Sequence, residues 1–269
     1  MTDYLGYPVF VWEAGLSAIG TLLAAISVAW FTTFYLRKKD EVTRVAGVIL
    51  EKRINSGQDI LMFLEDSSFK LEMKRELSEE LYKLLHEHDF PLPHDRHLQY
   101  ARVFESLDKF HDFCLAFEKI ISKHKLWMSE DVRFHLHLMQ AYFSWINASL
   151  LTLNRIPLPE NKTLNADELN TIAAHMLLIQ GIVLDNEFSG LIAQLEVLMV
   201  DAVYHLKLTR PRKSLLRNGF LNNDTVKVVN ILNKETILGQ QRENTIALML
   251  VLVSQLKDVE IDIDAEWLK

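Results

Sequence analysis

From Ala14 to Leu36 no position carries a charge, and apolar side chains follow one another with only small polar residues between them. Past Arg37 the pattern changes. Apolar residues now recur at spacings of three and four among charged ones. The first pattern predicts a helix in an apolar medium, and the second predicts amphipathic helices that each bury one face.

The uncharged run is about 23 residues, about 35 Å of helix at 1.5 Å per residue, enough to cross a hydrocarbon core of about 30 Å. Trp12 stands near one end and Trp30, Phe31, Phe34 and Tyr35 near the other, where amphipathic rings favour the headgroup level. The leading residues 1–13 hold only the acids Asp3 and Glu13, unlike the basic start of a cleaved signal, so the segment is expected to be retained. Arg37, Lys38, Lys39, Arg44, Lys52 and Arg53 all follow the span. The positive-inside rule then expects residues 1–13 as a short extracytoplasmic tail, 14–36 as a single transmembrane helix and 37–269 as a cytoplasmic domain. A bacterial inner membrane is the expected location.

After the span, Val42, Val45, Ile49, Leu50, Ile60, Leu61 and Leu64 continue a helical period to about Glu65, which predicts that the span runs straight into the first helix of the domain. A second helix is expected over Phe69 to His88, with Met73, Leu77, Leu81, Leu84 and Leu85 on one face, ending before Pro91 and Pro93. A third is expected over Arg96 to Lys123, with Tyr100, Val103, Phe104, Leu107, Phe110, Cys114, Phe117 and Ile121 as an aromatic-rich stripe. Ser129 predicts an N-cap, with Glu130 and Asp131 in the first turn. The seam that follows, Val132, Leu136, Met139, Phe143, Ile146, Leu150 and Leu153, is that of a helix packed along a neighbour.

Asn165 with Glu168 predicts a capping box, ahead of a helix apolar nearly all round from Ile172 to Leu184. A break near Asp185 to Gly190 precedes the seam Phe188, Ile192, Leu195, Met199, Ala202 and Leu206. The last helical region, Thr225 to Asp258, has a weak point at Gly239 and an apolar block, Ile246 to Val253, too short to span and expected to be buried. No strand pattern of four or more alternating residues stands out. The expected fold is all-α, an antiparallel bundle of about six or seven helices after the span.

Charge and cysteine content narrow the classes. A net charge of −7 makes nucleic acid an unlikely partner. A single cysteine, Cys114, excludes an intrachain disulfide and any Cys-based zinc site, and its place among aromatics marks it as a structural thiol. No linker composition or fixed repeat divides the cytoplasmic part, which predicts one domain.

The candidate chemistry is scattered. Ser17, Thr21, Ala25, Ala29 and Thr33 recur every fourth residue in the span, a ridge of small side chains along which another helix could pack. His86, His88, His94 and His97 gather with acids around Pro91 and Pro93, the side-chain types that bind zinc, although a solvated loop explains them more simply. Asp108 and His111, three apart, match half of a carboxylate-bundle metal site, or else a histidine at the core edge bonded to its neighbour. Asp131 with His135 and Asp201 with His205 read as helix-surface pairs. Lys207, Arg210, Arg212, Lys213 and Arg217 form a basic segment able to meet anionic lipid or an acidic partner, or to complement a helix C-terminus.

There is no P-loop, dinucleotide turn, His-Glu-x-x-His helix or nucleophile elbow. The closely spaced Arg and His of the HEPN-type helical nucleases are missing too. No cofactor is expected. The residues point first to a membrane-anchored module that binds a protein partner or a second copy of itself. The alternative is a membrane-tethered enzyme or toxic effector whose site is assembled from distant positions.

Overall fold

The computed structural model describes residues 9–73, 75–87, 90, 98–156, 164–204 and 222–257. The described residues are overwhelmingly helical, as the spacing of apolar positions predicts. The chain divides into two units, Met1–Lys52 and Arg53–Lys269.

The first unit contains helix α1 (Val9–Trp30), a π-helical turn (Phe31–Leu36) and the start of α2 (Arg37–Ser67). Among the described residues of α1 the large apolar side chains are uncovered, and Leu16, Ile19, Leu22, Leu23 and Ile26 all lie more than half exposed. The hydroxyls of Thr21 and Ser27 donate to the carbonyls of Ser17 and Leu23, each at 2.8 Å, so these polar groups are satisfied by their own helix. The wider π turn falls in the aromatic cluster, where Phe31 stacks on Tyr35 with centroids 5.0 Å apart and Trp30 lies 6.0 Å from Phe34.

The second unit is built on α4 (Leu107–His124), α5 (Glu130–Leu151), α6 (Ala166–Val183) and α7 (Asp185–Tyr204), with α3 (Arg75–Glu87), α8 (Asn222–Lys234), α9 (Ile237–Gln240) and α10 (Arg242–Lys257). The α5 seam is buried along its whole length, from Val132 to Leu153. Ser129 caps α5 by accepting from the Val132 amide. Asn165 and Glu168 form the reciprocal capping box of α6, at 2.8 and 2.9 Å. Glu168 also pairs with Lys257 of α10 at 2.5 Å, tying the start of one helix to the end of another.

An aromatic cluster fills the space between α4, α5 and α7. Phe143 meets Phe113 edge-on at 4.7 Å and Phe188 at 5.3 Å, while Phe113 stacks on Phe117 at 5.5 Å. Such edge and offset contacts add to the burial of large rings. Between α6 and α7 the chain bends by 60° at Leu184. Both helices contribute core residues there, among them Leu177, Phe188 and Leu195.

Three expectations need correction. A two-stranded antiparallel sheet stands where helices were expected to begin. Strand β1 (Lys70–Glu72) pairs with β2 (Gln99–Ala101), Leu71 opposite Tyr100, and flanking bonds join Arg102 to Phe69 and Met73 to Leu98. Strands of three residues are too short to establish an alternating pattern, and the spacing of Tyr100, Val103 and Phe104 imitates a helix. The second and third helices are accordingly shorter, starting at Arg75 and Leu107. Ser106, in an extended conformation, caps α4 by accepting from the Lys109 amide.

The third correction is at the C-terminal helices. The region is interrupted twice, on either side of Gly239: at Glu235 and Thr236, where Thr236 caps α9 by accepting from the Gly239 amide and donates to Leu232, and again at Gln241 before α10. Gly239 is needed for a different reason: a Cβ there would collide with the Leu232 carbonyl. Leu248, Met249, Leu250 and Val253 of α10 are buried, as their short apolar block predicts.

Candidate functional site

A cavity of about 210 Å³ lies between α5, α6, α9 and α10, lined by Trp145, Ala148, Ser149, Thr152, Gln180, Leu238, Arg242, Thr245 and Ile246. Gln180 reaches its wall because it sits in the last turns of α6, where every residue from Ile179 to Val183 is buried. Only 3 % of Gln180 is exposed. Its Nε2 donates to Ser149 Oγ at 2.9 Å, and its Oε1 has no hydrogen-bond partner. A buried carbonyl left unpaired costs about 1–3 kcal/mol. A much smaller void of about 10 Å³ adjoins the same glutamine, bounded by Phe90, Met176 and Leu184 among others.

A broader, open groove of about 790 Å³ runs between α4, α5 and α6. Asp108 and His111 both line it, with Glu105, Asn147, Asn170 and Thr171. His111 is exposed, which corrects the expectation of a core-edge histidine. Its position on α4 follows the helical repeat of Phe110, Phe113 and Phe117, which are buried while Asp108, His111, Asp112 and Leu115 face outward.

Two histidines that the charge pattern did not single out as core residues are buried. His135 Nε2 lies 2.8 Å from the Leu191 carbonyl of α7, and because a carbonyl only accepts, Nε2 carries a proton and donates. Burial, opposed by that hydrogen bond, holds its pKa below the usual histidine value. The expected surface pair with Asp131 is therefore corrected: the ring points into the core. A turn of helix places position 135 beside Val132, Leu136 and Met139, all buried, so the seam itself was the available signal.

His124, at the end of α4, forms a second buried cluster. Its Nδ1 lies 2.9 Å from Ser56 Oγ of α2, and its Nε2 lies 3.0 Å from Asp59 Oδ2. The latter is a close contact without the geometry of a directed hydrogen bond. Lys123 bonds the same Asp59 oxygen at 3.1 Å and, with the neighbouring positive charges, holds that carboxyl below its usual range. Serine, histidine and aspartate together invite comparison with a nucleophilic triad. Ser56 is only 3 % exposed, however, whereas Asp59 faces solvent. A substrate would meet the acid first and could not reach the hydroxyl. The arrangement fastens α2 to α4.

Asp185 at the start of α7 pairs through Oδ2 with Lys70 Nζ of β1 at 2.6 Å, its Oδ1 buried without a partner. Arg53 donates from Nη1 to the Ala202 carbonyl in the last turn of α7 at 3.1 Å, where a positive charge complements the helix dipole.

Of the described residues singled out from sequence, Asp108 and His111 share the open groove. Ser17, Thr21, Ala25, Ala29 and Thr33 are exposed along α1 and the π turn. Each step of four advances about 40° around a helix of 3.6 residues per turn, so Ser17 and Ala29 stand about 120° apart and the series forms an inclined ridge. His86 is exposed on α3, with its ring 6.4 Å from Tyr82. His88, His94, His97, His205 and the basic residues Lys207, Arg210, Arg212, Lys213 and Arg217 lie outside the described residues. Among the described residues no group of three or more His, Cys, Asp or Glu side chains is placed to hold a metal ion. Cys114 is half-buried, and burial pushes its thiol up to about 11. No protein-family profile, curated protein or solved structure matches the chain.

Proposed function

We propose that this chain is a membrane-anchored helical interaction module, crossing a bilayer once through residues 14–36 with residues 37–269 on the cytoplasmic side. One observation carries the reading: a helix long and apolar enough to span, none of whose apolar window is buried by the rest of the protein, followed at once by Arg37, Lys38 and Lys39. In water, uncovered apolar surface of this extent is unfavourable; in lipid it is required. The internal bonding of Thr21 and Ser27 suits the same environment.

Docking to a protein partner or a second copy is supported by two exposed features. The ridge of Ser17, Thr21, Ala25, Ala29 and Thr33 admits close approach of a second helix. In the second unit, Val197, Val200 and Tyr204 form an outward apolar row on α7, 67, 50 and 79 % exposed.

Extraction of cell membranes with alkaline carbonate tests the anchor, and reporter fusions at each end test its orientation. Retention in the pellet, with a C-terminal fluorescent reporter active inside the cell, is the expected result. Release into the supernatant overturns the reading. Ala25→Leu with Ala29→Leu should abolish self-association in a membrane two-hybrid assay, and an unchanged signal removes the ridge from the interface.

A second reading, a tethered enzyme or toxic effector, is favoured by one observation: Asp108 and His111 line the same open groove with Asn147 and Asn170. Overproduction that slows growth, relieved by His111→Ala in a folded protein, supports it. A growth effect unaltered in Asp108→Asn, His111→Ala protein removes this groove as its source.

A further inference from the structure

The helix that leaves the span changes pitch once. Between Phe31 and Leu36 the chain forms its π turn, with the Arg37 amide donating to the Thr32 carbonyl five residues back. A π turn closes with one residue more than an α turn, so every position beyond it is set back by about 100° around the axis. In an uninterrupted α-helix Gly47 would stand in line with Ala29, with Val48 about 100° and Val45 about 160° away. The π turn instead brings Val48 into line with Ala29, leaves Val45 about 60° to one side and carries Gly47 about 100° off.

Val42, Val45 and Val48 lie about 9 to 18 Å along α2 past Leu36, beyond the hydrocarbon core of a bilayer that ends there. Each is half exposed, so apolar surface that lipid does not cover is presented to water. On the other side of the π turn the same face bears Ala25 and Ala29, small enough for a second helix to approach closely.

Charge and direction select what covers this face. With the same set-back, Glu41 lies about 20° from Ala29, and Lys38 and Arg44 lie about 60° to either side of Glu41. None of the three has an ion pair among the described residues. A second copy anchored in the same membrane runs parallel, so that like levels meet. Glu41 of one copy then lies about 4.5 Å along the axis from both Lys38 and Arg44 of the other, with opposite charge above and below it. The same patch serves both partners, as a two-fold pair requires.

We infer that the first unit pairs in parallel with that of a second copy, through one face running from Ala25 and Ala29 in the span to Val45 and Val48 beyond it. The π turn brings the two halves of that face into line. The pairing rests on the anchoring proposed above, which holds the two helices parallel.

The test is disulfide cross-linking of the full-length protein in cell membranes, with single cysteines in a Cys114→Ser background oxidised by copper phenanthroline. Ala29→Cys and Val48→Cys should each give severalfold more dimer of this chain than Ser27→Cys and Gly47→Cys, whose positions turn away from the face. Glu41→Lys should lower the Val48→Cys yield severalfold, and adding Arg44→Glu should restore it. The proposal is overturned if Gly47→Cys links as well as Val48→Cys, or if neither Ala29→Cys nor Val48→Cys yields a dimer. It is overturned equally if Val48→Cys links to a different protein, or if its yield ignores Glu41→Lys. A chain that stays in the carbonate pellet and fails these tests loses the pairing alone, whereas a chain released by carbonate loses the anchor.

Discussion

Glu187 of α7 accepts a hydrogen bond from the Tyr142 hydroxyl of α5 at 2.9 Å, and the same carboxylate accepts the amides of Ile237 at 2.6 Å and Leu238 at 3.3 Å. One acid thus joins two long helices to the first turn of the short α9, whose free amides are satisfied only in part by Thr236. Burial, with Glu187 beside it, pushes the Tyr142 pKa well up, so the phenol stays a donor throughout the range in which the protein works.

Glu187→Ala should cost about 3 kcal/mol, because it strands three donors at once, whereas Tyr142→Phe should cost about 1 kcal/mol. The double variant measures their coupling, expected at about 1 kcal/mol by chemical unfolding in detergent. Strict additivity would mean that the tyrosine bond contributes nothing.

Gly181 tests how tightly α6 packs. A Cβ at this position would lie 2.5 Å from Phe104 Cβ and 2.7 Å from its Cγ, and Phe104 is wholly buried. Gly181→Ala should destabilise by about 1–3 kcal/mol, overpacking outweighing the gain in helix propensity. Gly190→Ala, with open space around it, should stabilise by up to about 1 kcal/mol. Thermal unfolding of the two variants side by side reads both signs.

His135 predicts a pH dependence. Its folded pKa lies below the ordinary value of 6.5, so between the two pKa values the unfolded chain binds more protons than the folded one. Stability is therefore complete above 6.5 and falls as the pH drops through 6.5 towards the folded pKa. His135→Gln, which keeps a donor for the Leu191 carbonyl, should flatten the melting temperature between about pH 7 and pH 5.5 relative to the natural protein. Parallel curves would place the acid sensitivity at other groups.

Cys114 should be sluggish. With its thiol pushed to about 11, against about 8.5 in an unfolded chain, alkylation by iodoacetamide at about pH 8.5 should be roughly a hundredfold slower folded than unfolded. The same raised pKa lowers stability as the pH climbs from about 9 towards 11, because the unfolded thiol ionises first. Equal alkylation rates would show that the thiol is neither buried nor raised.

Ser129, and Asn165 with Glu168, were legible in the sequence because a cap is a local event: the side chain and the amide it accepts are three positions apart. The α5 seam and the apolar α6 were legible because helical period translates directly into burial. The pairing of Lys70–Glu72 with Gln99–Ala101 was not, since strands of three residues carry no period and their partner lies far along the chain. Ser106 did carry a signal, a cap with Asp108 in the turn it opens, but the apolar spacing across Tyr100, Val103 and Phe104 outweighed it.

The candidate sites divide in the same way. Asp108 and His111 share a groove because three residues along a helix share a face, which the sequence contains. Gln180 gave no warning: a lone glutamine in an apolar helix acquires an unpaired carbonyl and a cavity only when α5, α9 and α10 close around it. His124 with Ser56, His135 with the Leu191 carbonyl and Glu187 with Ile237 likewise join residues distant in sequence. By itself the sequence determined most of the helices, the caps at Ser129 and Asn165, the inward faces of α5 and α6 and the uncharged apolar helix, all set by interactions within a few positions. Only the tertiary structure decided which buried polar groups meet and which remain unsatisfied, because a hydrogen bond between helices depends on where two backbones come to rest.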